Sequence, residues 1–174
     1  CVTTDAGASS CFGGQIHNLG SRYTSLSVSQ SFGCGLELTG NPTQDSGKAF
    51  CFGDYAPMLS QSGIRAISAG AYVACYILSS VDLVSYDRKV NCSEAGPHGE
   101  GSPPQNVYFR SISVGYSHAC GLGSTAGSYA AATSNTAYCW GDNYYGQAKG
   151  GSSYSSIHAG DGYTCGLRTD GTIS

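Results

Sequence analysis

Nine cysteines and four histidines are the residues of this 174-residue chain with the most chemistry to offer. Thiolates can hold a metal, attack an electrophile or pair as disulfides, and their spacing separates these roles. A metal site from a tight turn needs CxxC or CxxxxC, and no such pair occurs. His17, His98, His118 and His158 are too far apart in sequence for an HxH or HxxxH ligand pair. His118 lies two residues before Cys120 and is read as a packing histidine, hydrogen-bonded inside its own repeat. Serine catalysis would need GxSxG, and the nearest match, GYSHA from Gly115, lacks the second glycine. Lys48 follows Gly47 but precedes Ala49, so no phosphate loop forms. Asp54, Asp142, Asp161 and Asp170 stand beside Gly or Asn, where a short carboxylate accepts backbone N–H groups in turns; the calcium-loop spacing DxDxDG is missing. The expectation is a non-enzyme with no metal and no cofactor.

Disulfides are the better use of these cysteines, and they need an oxidising compartment, which predicts an extracellular or cell-surface protein. The charge pattern narrows the partners. Charged residues make up 11% of the chain, under half of the roughly 25% usual in soluble domains. With net charge −3 and Lys48, Lys89 and Lys149 as its only lysines, the chain has no basic stripe for nucleic acid. The longest apolar stretch, Ala69 to Leu78, falls well short of the roughly 18 to 20 residues of a membrane-spanning helix. A protein partner, with no membrane insertion, is the expectation.

The cysteines are positioned by an internal repeat. LSVSQSFGCGL from Leu26, ISAGAYVACYI from Ile67, ISVGYSHACGL from Ile112 and IHAGDGYTCGL from Ile157 align without gaps. A second cysteine element recurs as SCFGG at Ser10, FCFGD at Phe50, NCSEA at Asn91 and YCWGD at Tyr138. The period is about 40 to 47 residues, and apolar residues alternate over short runs bounded by Gly, Ser and Asp, the signature of half-buried strands. An all-β repeat of this length predicts propeller blades of about four strands each. Trp140, with Phe12 and Phe52 at equivalent places, is read as blade packing. Tyr144, Tyr145 and Tyr154 are the candidates for a contact surface, since tyrosine suits sites with one dry and one wet side. Asn91-Cys92-Ser93 is a candidate glycosylation sequon, and the PHGEGSPPQN stretch from Pro97 reads as a long exposed loop.

The stretch RSISVGYSHACGL, a loop, and then AYCWGDNYYGQ resembles the RCC1-like β-propeller superfamily, in particular its secreted, cysteine-bearing branch with a CWGxNxxGQ element. The likeness is strong over residues 110 to 174, moderate over 23 to 72 and weak over 76 to 109, where NCSEAGPHGEG replaces the aromatic-Gly pair and the glutamine is displaced or lost. It implies a disulfide-stapled all-β propeller with about four repeats visible, part of a larger propeller. The expected division is a partial blade at 1–22, a blade at 23–64, a degenerate blade at 65–109, a blade at 110–154 and a partial blade at 155–174.

If the two cysteines of each blade bond to one another, the pairs are Cys1–Cys11, Cys34–Cys51, Cys75–Cys92 and Cys120–Cys139. Cys165 is then left for a further cysteine, expected one position past Ser174 in a longer array. A Cys1–Cys165 bridge is the alternative, and it would strand Cys11. Sequence alone does not fix connectivity.

Two functions follow as expectations. One is an extracellular structural or protein-interaction module, a subunit of a self-assembling fibre or surface layer. The other is a secreted propeller that binds one protein partner; the resemblance implies this role because plant receptor ectodomains and bacterial secreted enzyme inhibitors share the blade type. Nuclear exchange activity fits poorly with a disulfide-bonded chain.

Overall fold

The computed structural model describes residues 2–3, 8–10, 18–37, 47–54, 56–59, 61–79, 88–127, 131 and 133–174, with side chains from residue 23 onward. Short runs rich in Ile, Val, Tyr and Phe, broken by Gly and Ser, form thirteen antiparallel strands among these residues. They are β1 (Val2–Thr3), β2 (Ala8–Ser10), β3 (Asn18–Val28), β4 (Phe32–Glu37), β5 (Lys48–Gly53), β6 (Ile64–Ala69), β7 (Ala74–Leu78), β8 (Val90–Cys92), β9 (Tyr108–Val114), β10 (His118–Ser124), β11 (Thr136–Gly141), β12 (Tyr154–Ala159) and β13 (Thr164–Arg168).

Four sheets result, ordered β1-β2-β3-β4-β5, β6-β7-β8, β11-β10-β9 and β12-β13. The long β3 pairs with β2 through Asn18 and Arg22, then with β4 from Tyr23 onward. Successive sheets stack face to face, and each gap holds its own apolar layer. Phe32, Leu36, Ile64 and Ile67 fill the first; Val73, Ile77, Val90, Phe109 and Trp140 the second; Leu122, Ala137 and Ile157 the third. This is the arrangement of consecutive propeller blades.

A packing rule recurs inside the sheets. Tyr23 lies over Gly35, Phe109 over Gly121 and Tyr154 over Gly166, and a Cβ on any of these glycines would fall on the ring. The second sheet exchanges the sizes: Ile64 stands at the aromatic position and Tyr76 at the glycine position, so one bulky side chain still serves the pair.

Hydroxyls tie one sheet to the next. Ser27 accepts the N–H of Ala69, Ser68 that of Val114 and Ser113 that of Ala159, each at 2.9 Å. Each of these serines sits directly opposite the middle-strand cysteine of its own sheet, Cys34, Cys75 and Cys120 respectively. In the fourth sheet His158 takes the serine's place opposite Cys165.

Candidate interaction face

The antiparallel register sends the turn between the first two strands of each repeat to one end of its sheet, and in the first three sheets the exit of the third strand lies at that same end. Phe32 faces Gly53, Cys75 faces Cys92 and His118 faces Gly141. That end therefore gathers the turn tips at Gln30, Tyr72, Tyr116 and Asp161, the loop from Glu94 to Glu100, and the loop from Asp142 to Gln147.

The loop after β11 is held by its own polar side chains. Asp142 accepts the N–H of Tyr144 at 3.0 Å and the Gln147 amide at 2.9 Å. Gln147 accepts the N–H of Tyr145 at 2.8 Å, and Asn143 accepts that of Ala148 at 2.9 Å. Gly146 supplies the left-handed turn at φ +81°. The result is a fixed platform that exposes Tyr144 and Tyr145 by 83% and 77%, their rings edge to face at 4.9 Å. Tyr154 is placed differently. It is half-buried, packed on Gly166, with the Arg168 guanidinium 5.3 Å from its ring centre.

The loop after β8 repeats this design without the tyrosines. Glu100 accepts the N–H of His98 at 2.9 Å, as Gln147 does that of Tyr145. The glutamine position expected to be displaced or lost is thus occupied, by Glu100. The carbonyls of both residues are read by the following sheet, Glu100 by the Trp140 indole N–H at 2.7 Å and Gln147 by the Thr164 hydroxyl at 2.7 Å. Trp140 packs with Phe109 in the second core layer.

Between the turn tips and this loop lies a cavity of about 750 Å³, bounded by Phe32, Ala71, Tyr72, Tyr116, Glu94 and Pro97 among others. The Tyr72 and Tyr116 hydroxyls are 2.7 Å apart and their rings meet edge to face at 5.3 Å. The bond to Tyr116, above all, holds the Tyr72 hydroxyl above its ordinary pKa; desolvation and the charges of Tyr116 and Glu100 act in the same direction. Sequence reasoning passed over Tyr72 and Tyr116. The available signal was their shared location in the turn just before the middle-strand cysteine.

Disulfides join Cys34 to Cys51, Cys75 to Cys92 and Cys120 to Cys139, all directly cross-strand, with Cα atoms 4.0 to 4.1 Å apart. Cys165 is exposed and unbonded. The Cys1–Cys11 pair, Phe12 and His17 lie outside the described residues. Asn91 is exposed on β8, while Ser93 of its sequon accepts the N–H of Ala74 at 3.2 Å.

His118 is fully buried, and its bond leaves its own sheet, reaching Thr164 on β13 at 2.8 Å. The expected bond within its own repeat is replaced because the side chain points into the gap between sheets. Thr164 gives its proton to Gln147, so His118 donates from Nε2, and Nδ1 has no hydrogen-bond partner. Burial lowers the pKa of this imidazole, against a smaller upward pull from Asp142. Among the described residues no group of three or more His, Cys, Asp or Glu could hold a metal ion, and no helix is long and apolar enough to cross a membrane.

The family model described as the regulator of chromosome condensation (RCC1) repeat matches residues 109–147, the third sheet and its tyrosine loop. Comparison with curated proteins gives no match. Among solved structures, the chain is similar to the CRINKLY WD40 ectodomain of the Arabidopsis thaliana receptor kinase ACR4, at 25% identity and TM-score 0.61, over 89% of this chain and 49% of that one. The ectodomain of the Physcomitrella patens receptor kinase CR4 matches at 21% identity and TM-score 0.64, over 92% of this chain and 39% of that one. Yeast RCC1 (Prp20), in its complex with Kap60, matches at 13% identity and TM-score 0.61, over 88% and 43%. The chain thus spans half the length of these neighbours or less. Residues 109–147 thus match an RCC1 repeat, and the stacked blades give the chain a fold similar to that of RCC1-like β-propellers.

Proposed function

We propose that the chain is a non-enzymatic, extracellular protein-interaction module of the secreted, cysteine-bearing branch, and that it binds through the end of the blades where turns and tyrosine loops gather. The rigid display of Tyr144 and Tyr145 carries this reading. Two large rings carried on a backbone that Asp142, Asn143 and Gln147 hold in place need little loop ordering on binding, the property of interface anchors. The disulfides support an oxidising compartment, since cytosolic thiols are kept reduced. Asn91, on an exposed edge, is then a glycosylation site.

Of the two finer roles, binding one protein partner is favoured by the likeness to receptor ectodomains. Assembly of many copies into a fibre or surface layer competes with it. Light scattering with negative-stain imaging of the intact, non-reduced protein separates them: a compact monomer supports the single partner, and regular assemblies support the structural role. The face itself is tested by Y144A/Y145A, which should abolish capture of the partner, or assembly, while leaving the melting temperature unchanged. Unaltered binding would overturn the assignment.

A further inference from the structure

We propose that the cavity between the first three turn tips and the loop after β8 takes an arginine side chain presented by a segment of a partner protein. The proposal rests on the interaction-module reading and names the chemistry of one part of its face.

The walls set the chemistry. Phe32, Ala71, Ala95 and Pro97 provide apolar surface for an aliphatic stem, and Tyr72 and Tyr116, 41% and 38% exposed, provide aromatic faces. The charge is all of one sign. Glu94 stands exposed on the wall, and Glu100 is buried directly behind Gly96, its Oε1 without a hydrogen-bond partner. A Cβ at position 96 would come within 2.5 Å of that carboxylate, which thus packs directly against Gly96 of the cavity lining. Among the described residues no lysine or arginine lines the cavity.

Aromatic faces beside a carboxylate select a cation, and a planar guanidinium can stack on a ring while donating to Glu94. An ammonium is more strongly hydrated and cannot stack, which places arginine above lysine. The volume, about 750 Å³, exceeds one side chain, so flanking backbone of the partner enters too.

The test is titration of acetyl-Gly-Arg-Gly-amide into the intact, non-reduced protein, followed through the NMR shifts of Tyr72, Tyr116 and Ala95, with lysine and norleucine versions alongside. Arginine should bind about fivefold more tightly than norleucine, with lysine between them. E94Q should remove most of that preference without altering the norleucine affinity. Equal affinities for arginine and norleucine, an unaffected E94Q, or no saturable shift at these residues would each overturn the proposal. Because the probe is a short peptide, the outcome separates from that of Y144A/Y145A: lost peptide binding with intact partner capture discards the cavity alone. Peptide binding with capture indifferent to the tyrosine loop keeps the cavity and discards that loop.

Discussion

Glu100 occupies in its repeat the place that Gln147 holds in the next. Both are buried, both accept the backbone N–H two residues earlier, and both offer their carbonyl to the following sheet. The difference is the second side-chain atom. Gln147 donates to Asp142, whereas Ala95 stands at the corresponding place before Glu100, and Oε1 has no hydrogen-bond partner.

This relationship sets up a double-mutant cycle. A95D alone puts a second carboxylate against a buried one and should destabilise the protein. A95D/E100Q rebuilds the Asp142–Gln147 bond and should be more stable than either single variant, by roughly 1 kcal/mol of coupling. Chemical denaturation of the four proteins reads the coupling, and strict additivity would rule out the equivalence of the two loops.

Ser68 is the inter-sheet hydroxyl in the best-buried setting, 8% exposed. Ser68→Ala leaves the Val114 N–H without its acceptor and should cost about 1 to 3 kcal/mol. Amide exchange at Val114 should accelerate in the variant. Unchanged exchange there would show that the bond contributes nothing.

His118 gives the fold a pH dependence whose sign is fixed. Its pKa in the folded protein lies below the ordinary value, so the unfolded chain binds the extra proton first. This contribution to stability is complete above the unfolded pKa of about 6.5 and is lost as pH falls below it, toward the lower folded value. H118Q keeps a donor for Thr164 and does not titrate. Its melting temperature between pH 7.5 and 5 should fall less steeply than that of the natural protein, and parallel curves would discard the assignment.

Tyrosines at the two kinds of position should respond oppositely. Tyr154→Ala removes the ring over Gly166 and should cost about 2 kcal/mol or more, whereas Tyr144→Ala should alter stability by less than about 0.5 kcal/mol. Thermal melts of the two single variants check this directly.

The repeat, the strand alternation and the phase of the cysteines were legible because period-two patterning and a cysteine on each middle strand survive in every copy. Cys34, Cys75 and Cys120 face Cys51, Cys92 and Cys139 in register. Glu100 escaped because its neighbours differ from those of Gln147, and the likeness lies in a backbone bond that sequence does not display. The exchange of Ile64 and Tyr76 likewise did not show in the aligned repeats, because it conserves the summed volume and not the residue at either position. Tyr72 and Tyr116, 44 residues apart, meet only because sheets stack. Tyr154 read like Tyr144 in sequence, since both are tyrosines in polar surroundings; the glycine opposite it, Gly166, made the difference.

The serine hydroxyls bear on how the chain comes apart. Each joins its sheet to the next one and to no other, so the coupling runs in one direction like a row of clasps. Removing the clasp at Ser68 should loosen that gap alone, because the apolar layer of Val73, Ile77, Phe109 and Trp140 and the Trp140–Glu100 bond still span it. Local opening there should then become easier than at the gaps that keep Ser27 with Ala69 and Ser113 with Ala159, and a binding face assembled across it would loosen before the sheets on either side unfold.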